Sequence, residues 1–144
     1  MAEPTLKQGS TGPAVKDLQL ALQELGHSPG KIDGVFGGTT EKAVEAFQAT
    51  LAGATVDGVV GPFTWRSINF ADTSEPVLKN GSTGLPVRRL QDAISSAGFD
   101  TGGVDGRFGP STEAAVKKLQ KAEGLAVDGI VGPATWAIID AFDV

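Results

Sequence analysis

Aspartate recurs in one local context at four places in the chain, and paired carboxylates can do chemistry. Each of these residues precedes a glycine, at Asp33, Asp57, Asp105 and Asp128. Two carboxylates with different pKa values can serve as the acid and the base of a glycoside hydrolase. Recurrence in one context favours a structural role instead, because aspartate before glycine accepts hydrogen bonds from its own turn. We therefore predict that these are turn residues and that the chain has no catalytic residues.

The chain has few of the residues that histidine or cysteine chemistry requires. His27 is the single histidine, and cysteine is absent. A structural zinc site, a disulfide and a Ser-His-Asp or Cys-His catalytic set all need more of these residues. The acidic turns also lack the alternating oxygen ligands of a calcium loop. The sequence predicts no metal site and no cofactor, and it favours a surface loop position for His27.

The four aspartates belong to a recurring motif, Asp-Gly-x-apolar-Gly-x-x-Thr. It occupies residues 33–40, 57–64, 105–112 and 128–135. The first glycine allows a positive φ, the apolar residue enters the core, and the second glycine precedes a helix as its N-cap. A proline follows the second glycine in three copies, at the first helical position, and Gly38 takes that place in the remaining copy. The motif predicts a turn that leads into a helix.

The chain is a tandem duplication. Residues 6–12 recur as residues 78–84, an offset of 72 that falls to 71 at the last motif copy. One residue has therefore been gained or lost in the loop between Gln48 and Asp57. We predict two units, at residues 1–72 and 73–144, joined by a short linker at about residues 71–76.

Apolar residues at helical spacing occupy the segments between the turns. Val15, Leu18, Leu22 and Leu25 share one face of a first helix, and further helices follow the motif copies. No alternating strand pattern is present. The predicted fold class is all-α, with two tandem small three-helix bundles and Asp-Gly turn loops. The core anchors expected in these bundles are Phe36, Phe47, Trp65, Phe108 and Trp136.

Composition and charge exclude several classes of partner. The chain has 144 residues, 40% of them hydrophobic, and a net charge of −5. A negative protein is a poor match for a nucleic-acid backbone or an anionic membrane surface. No stretch has the roughly 18 apolar residues of a membrane span, and residues 1–12 lack the basic start and apolar run of an export signal. We expect no nucleic-acid partner, no membrane partner and no signal peptide in this chain.

Two further groups of polar residues have structural interpretations. Lys117, Lys118 and Lys121, together with Arg88 and Arg89 of the paired helix, form a basic cluster that is typical of a solvated helix face. A glutamine follows a core apolar residue at four helix positions, and buried amides need hydrogen-bond partners, so we predict bonds to loop backbone. These glutamines are Gln19, Gln48, Gln91 and Gln120.

The order of the motifs resembles a known family. In each unit Leu-Lys-x-Gly-Ser-x-Gly is followed by Val-x-x-Leu-Gln, the first Asp-Gly motif, a helix and Asp-Gly-x-Val-Gly-Pro-x-Thr-Trp, and Leu119 replaces Phe47 in the second unit. This string is similar to the peptidoglycan-binding-like domains (peptidoglycan-binding domain 1 family). The resemblance implies a three-helix bundle that anchors proteins to cell-wall peptidoglycan, with a wall hydrolase or larger assembly as companion. It also implies a cell-wall, extracellular or periplasmic location.

The ligand is expected where the turns meet the helix starts. Exposed N–H groups at a helix start suit the carboxylates of stem peptides, so we expect both turns and the start of the third helix to converge in each unit. Residues near these elements that differ between the units are further candidates. The predicted ligand-binding residues are Lys31, Asp33, Arg66, Asn69, Asp105 and Arg107.

Three functional hypotheses follow. The leading one is a noncatalytic peptidoglycan-binding module, with the stem peptide or the glycan as ligand. The alternative is a structural or adaptor protein that uses the same bundle to dock a protein partner, such as in a phage or injection particle. A wall-lytic enzyme is the third, and the sequence offers no catalytic set for it.

Overall fold

The computed structural model describes residues 4–71 and 74–142, with the side chain of Phe142 left out. Within these ranges the regular elements are helices, and the all-α prediction is confirmed. They are α1 Pro13–Glu24, α2 Gly38–Gln48, α3 Pro62–Asn69, α4 Leu85–Ser96, α5 Pro110–Ala122 and α6 Pro133–Phe142. None of the helices in the described ranges is long and apolar enough to cross a membrane.

The chain divides into two compact units, with the described residues 4–71 in one and 74–142 in the other. Unit 1 contains α1 to α3 and unit 2 contains α4 to α6. The predicted boundary between residues 72 and 73, and these two residues of the predicted linker, lie outside the described residues. Each unit is therefore described by itself.

In unit 1, α1 packs against α2 around a core that the side chains of all three helices enter. Val15, Leu18, Val44 and Ile68 are 0% exposed. The segment before α1 forms antiparallel bridges with both turns, Leu6 with Val60 and Thr11 with Val35. These single bridges fix the two turns to the N-terminal segment without forming a sheet. The predicted anchors Phe36, Phe47 and Trp65 are all buried.

Unit 2 repeats this arrangement, with α4 packed against both α5 and α6. Antiparallel bridges join Leu78 with Val131 and Thr83 with Arg107. Leu119 is 0% exposed, so the leucine that replaces phenylalanine still fills the core. The predicted anchors Phe108 and Trp136 are also buried.

The motif geometry agrees with the sequence prediction. The first glycine of every copy has a positive φ between 71° and 76°. The second glycine is the N-cap of a helix at Gly37, Gly61 and Gly109, with φ between −98° and −108°. Because these three glycines are extended, the next residue can be a proline at the first helical position, as it is at Pro62 and Pro110.

Replacing Gly38 with proline is expected to stabilise unit 1 by about 0.4–1 kcal/mol. Gly38 is the first residue of α2, where the N–H has no acceptor within the helix, and a Cβ placed there meets nothing within 4 Å. Urea denaturation measures the effect. Gly58→Ala is the contrasting control, since φ is +71° there and the new Cβ would lie 2.8 Å from Cγ of Glu41. A destabilised Gly38→Pro variant would contradict this account of the motif.

Candidate functional site

The first motif copy is held by one buried glutamine. Oε1 of Gln19 accepts the N–H of Asp33 at 3.1 Å and of Gly34 at 2.9 Å. Its Nε2 donates to Oδ1 of Asp33 at 3.2 Å, to the carbonyl of Val35 at 3.1 Å and to Oγ1 of Thr40 at 3.1 Å. One side chain thus joins the helix before the turn to the aspartate, the turn backbone and the threonine that ends the motif. We call this arrangement the Gln-Asp-Thr network.

The same network occurs in all four motif copies, at distances of 2.9–3.3 Å. The other copies pair Gln48 with Asp57 and Thr64, Gln91 with Asp105 and Thr112, and Gln120 with Asp128 and Thr135. All four glutamines are 1–2% exposed. The prediction that the glutamines bond to loop backbone is confirmed, and the network also explains the invariant threonine of the motif.

Each aspartate accepts hydrogen bonds within its own turn. Oδ1 takes the N–H two residues later at 2.9–3.0 Å in every copy. This bond is the turn contact expected from the sequence. In Asp33 and Asp128 the backbone N–H of Val35 or Ile130, followed by the glutamine amide, lowers the pKa below the ordinary 3.8. Hydrogen bonds to an ionised carboxylate favour that charged form.

The ionised forms of Asp33 and Asp128 are expected to stabilise the fold above about pH 4, the ordinary pKa of an unfolded aspartate. Because the folded pKa is lowered, this contribution is lost as the pH falls through that lower value. Carboxyl ¹³C shifts measure the two midpoints, and urea denaturation at about pH 6 and about pH 2.5 measures the loss. An Asp33→Asn and Asp128→Asn double variant should lose less stability in acid. Midpoints at or above the ordinary value would contradict the prediction.

Two surface depressions in unit 1 lie against motif copies. The Lys31 depression, of about 180 Å³, is lined by Lys31, Asp33, Val35 and the start of α2. The Phe63 depression, of about 280 Å³, is lined by Asp57, Phe63, the loop residues 53–55 and the start of α3. The two have no lining residue in common. Each turn therefore forms a depression with the helix that follows it, rather than both turns forming one.

The predicted binding residues fall into different environments. Lys31 and Asp33 lie together in the Lys31 depression. The Arg107 guanidinium lies 3.7 Å from Oδ2 of Asp105, so the structure also brings this pair together. Arg66 is exposed, and its guanidinium lies 4.7 Å from the ring centroid of Phe70. Whether any of them binds a ligand stays a prediction.

Asn69 differs from the expectation. It is 0% exposed, so it does not project from unit 1 and lines neither depression. It lies on the buried face of α3 together with Trp65 and Ile68. The helical period places these three residues on one face.

Phe63 was missed by the sequence analysis, although it is 57% exposed at the edge of a depression. A signal was available, because the corresponding residue of unit 2 is Ala134. Comparison of the two units at the variable motif positions would have identified it.

The arginines of the predicted basic cluster do not form a solvated face. Arg88 is 3% and Arg89 6% exposed. Arg89 pairs with Asp140 and with Glu75, the latter at 3.6 Å, and its guanidinium lies 5.1 Å from the Trp136 ring centroid. The pKa of Glu75 is raised, chiefly by its hydrogen bond with the Asp140 carboxyl. The two arginines therefore belong to the interior of unit 2, and the lysines on α5 remain exposed.

His27 is half-buried, and its ring meets that of Phe47 edge to face at 5.8 Å between centroids. It thus covers the core at the end of α1. Among residues 4–71 and 74–142, no three His, Cys, Asp or Glu side chains are grouped so that they could hold a metal ion.

A family model described as "Putative peptidoglycan binding domain" matches the chain twice, at residues 11–68 and 83–139. One match lies in each unit. The chain is 37% identical to the N-acetylmuramoyl-L-alanine amidase CwlL of Bacillus licheniformis, over 92% of this chain and 44% of that protein. It is 44% identical to the zinc D-Ala-D-Ala carboxypeptidase of Streptomyces albus G, over 65% of this chain and 34% of that protein. The chain thus spans less than half of either relative.

The solved structures that the chain matches include the SleB N-terminal domain and a Burkholderia AP3 phage endolysin. The SleB domain is 38% identical with a TM-score of 0.47, over 49% of this chain and 99% of that chain. The endolysin is 25% identical with a TM-score of 0.44, over 96% of this chain and 60% of that chain.

Proposed function

Because this chain belongs to the peptidoglycan-binding domain family, we propose that it is a noncatalytic module that attaches to bacterial cell-wall peptidoglycan. The observation that carries the proposal is the family match in both units. The Gln-Asp-Thr network supports it, since it holds every motif copy in one geometry and leaves the seventh motif position, which differs in every copy, exposed.

The proposal assigns binding to this chain and hydrolysis to other proteins or segments. The related amidase and carboxypeptidase are more than twice as long as the parts that this chain matches. In this chain one carboxylate oxygen of each motif aspartate already accepts a backbone N–H. We propose that the module works at the cell wall, outside the cytoplasm, and concentrates a wall hydrolase on its substrate.

Two units on one chain suit a polymeric ligand. Once one unit is bound, the second meets neighbouring repeats at an effective concentration in the millimolar range, which is typical of a short linker. Two weak sites then give firm attachment. We therefore expect soluble peptidoglycan fragments to displace a single unit from peptidoglycan. At the same fragment concentration, the whole chain should stay bound.

Attachment is expected to depend on shape and hydrogen bonds more than on net charge. The chain carries −5, and the carboxylates of stem peptides are negative as well. Raising the salt concentration from about 0.05 M to about 0.5 M screens exposed charges. Binding should change little over this range, unlike that of a protein attracted by a basic surface.

A sedimentation assay on purified sacculi tests the proposal. The whole chain should pellet with the sacculi at both salt concentrations, while an unrelated acidic protein of similar size stays in solution. No soluble muropeptides should be released. If the chain stays in the supernatant, the proposal is wrong; a protein that copurifies with such a nonbinding chain would favour the adaptor alternative. Release of fragments would instead show a lytic activity.

A further inference from the structure

Phe63 is a solvent-exposed aromatic residue. It lies in the first turn of α3 and is 57% exposed, whereas the other aromatic side chains described in residues 4–71 and 74–141 are buried or half-buried. Leaving a large apolar side chain in solvent forgoes the stabilisation that burial provides. Phe63 therefore contributes little to core packing.

The scaffold does not require an aromatic residue at this position. In unit 2 Ala134 occupies it, and α6 still begins at Pro133 of the same Gly-Pro pair. Phe63 lies between Pro62 and Thr64, and it is Thr64 that points inward to the Gln-Asp-Thr network. Phe63 is thus an addition to the surface of unit 1 alone.

A second feature of the Phe63 depression is also specific to unit 1. One wall is formed by Gly53, Ala54 and Thr55. These residues belong to the loop that is one residue longer than its counterpart in unit 2. The longer loop and the aromatic side chain line the same depression, so these two differences between the units fall at one site.

The polar groups of this depression suit a neutral ligand. The lining contains the exposed carboxylate of Asp57 and the hydroxyl-bearing Thr55, and no lysine or arginine. Oδ1 of Asp57 accepts the Val59 N–H at 2.9 Å, and a carboxylate can accept further bonds from ligand hydroxyl or amide groups. An anionic stem-peptide carboxylate would meet a like charge here.

We propose that the Phe63 depression is a glycan subsite that takes one sugar ring of a peptidoglycan strand, and that unit 2 lacks it. The ring stacks its C–H face on Phe63, whose aromatic face carries partial negative charge, and donates a hydroxyl or amide hydrogen to Asp57. The volume of about 280 Å³ lies just below the lower end of ordinary ligand sites, as a single ring requires. This inference rests on the proposed function and assigns glycan recognition to unit 1.

The test compares three whole-chain variants on purified sacculi. Phe63→Ala places the residue of unit 2 in unit 1 and should weaken binding about tenfold. Leu20→Ala, which removes an exposed apolar side chain of α1 that lines neither depression, should bind as the unaltered chain does. Phe63→Ala combined with Ala134→Phe should stay weak, because unit 2 lacks the longer loop.

Each outcome decides between the two proposals. If the unaltered chain does not bind sacculi, the proposed function fails and the glycan subsite fails with it. If the unaltered chain binds and Phe63→Ala binds equally well, only the subsite is wrong. Recovery of binding by the added Ala134→Phe change would show that any exposed phenylalanine suffices, and this too would overturn the subsite.

Soluble probes test the chemical class of the ligand. In NMR titrations of the whole chain, chitotetraose, a β-1,4-linked N-acetylglucosamine tetramer, should shift the amides of residues 53–64 and leave residues 126–135 unmoved. These shifts should vanish in Phe63→Ala. A free stem peptide that shifts residues 53–64, with chitotetraose inactive, would overturn the glycan assignment.

Discussion

Gln19→Leu is expected to lower the free energy of unfolding of unit 1 by at least about 3 kcal/mol, because it removes five hydrogen bonds and leaves their partners in place. Leucine is apolar and cannot replace either polar atom. The N–H groups of Asp33 and Gly34 would then have no acceptor, and a buried group left unsatisfied costs about 1–3 kcal/mol. Either the turn keeps its geometry with these N–H groups unpaired, or it opens so that water can accept their hydrogen bonds.

A matched control lies one turn further along α1. Gln23 is exposed, and Gln23→Leu should change stability by less than about 0.5 kcal/mol. Urea denaturation gives the free energies, and amide hydrogen exchange locates the loss in residues 33–40. Equal effects of the two substitutions, or a neutral Gln19→Leu, would show that the network does not hold the turn.

The scaffold could be predicted from local sequence rules. Positive φ at the first motif glycine, an N-cap at the second and proline at the first helical position are all decided within a few residues, and all are observed. The duplication made these predictions stronger, because each applies to several copies. The glutamine bonds were predicted in kind for the same reason.

The network as a whole required the structure. Gln19 and Thr40 are 21 residues apart in sequence, and their contact depends on how α1 packs against α2. Arg89 is a clearer case, since its partner Asp140 lies 51 residues away on another helix. Adjacent arginines suggested a solvated face, whereas the carboxylates of Asp140 and Glu75 and the Trp136 ring pair with the buried Arg89.

Asn69 could have been placed correctly from the sequence. Trp65, Ile68 and Asn69 have the i, i+3, i+4 spacing of one helix face, and all three are buried. Its amide side chain favoured a surface position, and the helical period decided otherwise. The reverse holds for Phe63, whose apolar side chain suggested no surface role. Residue type was in both cases a weaker guide than position.

Trp136→Ala is expected to lower the free energy of unfolding of unit 2 by about 3–5 kcal/mol. Trp136 is 1% exposed, so alanine leaves a cavity among the helices of the unit. Its indole N–H also donates to the carbonyl of Pro76 at 2.8 Å, which fixes the segment before α4. In addition the ring faces Arg89, so the loss affects a buried cation as well as apolar packing.

Trp136→Phe separates these contributions. Phenylalanine keeps most of the packing and a ring face for Arg89, but it cannot donate to Pro76, so the expected cost is only about 1–2 kcal/mol. Urea denaturation of both variants, with amide exchange in α4 and α6 as the local readout, gives the comparison. An unaltered midpoint for Trp136→Ala would contradict the assignment of this residue to the core. If both variants lose the same free energy of unfolding, the stabilisation comes from the hydrogen bond to Pro76. A larger loss in Trp136→Ala, which we expect because the ring is buried, shows that it comes from packing.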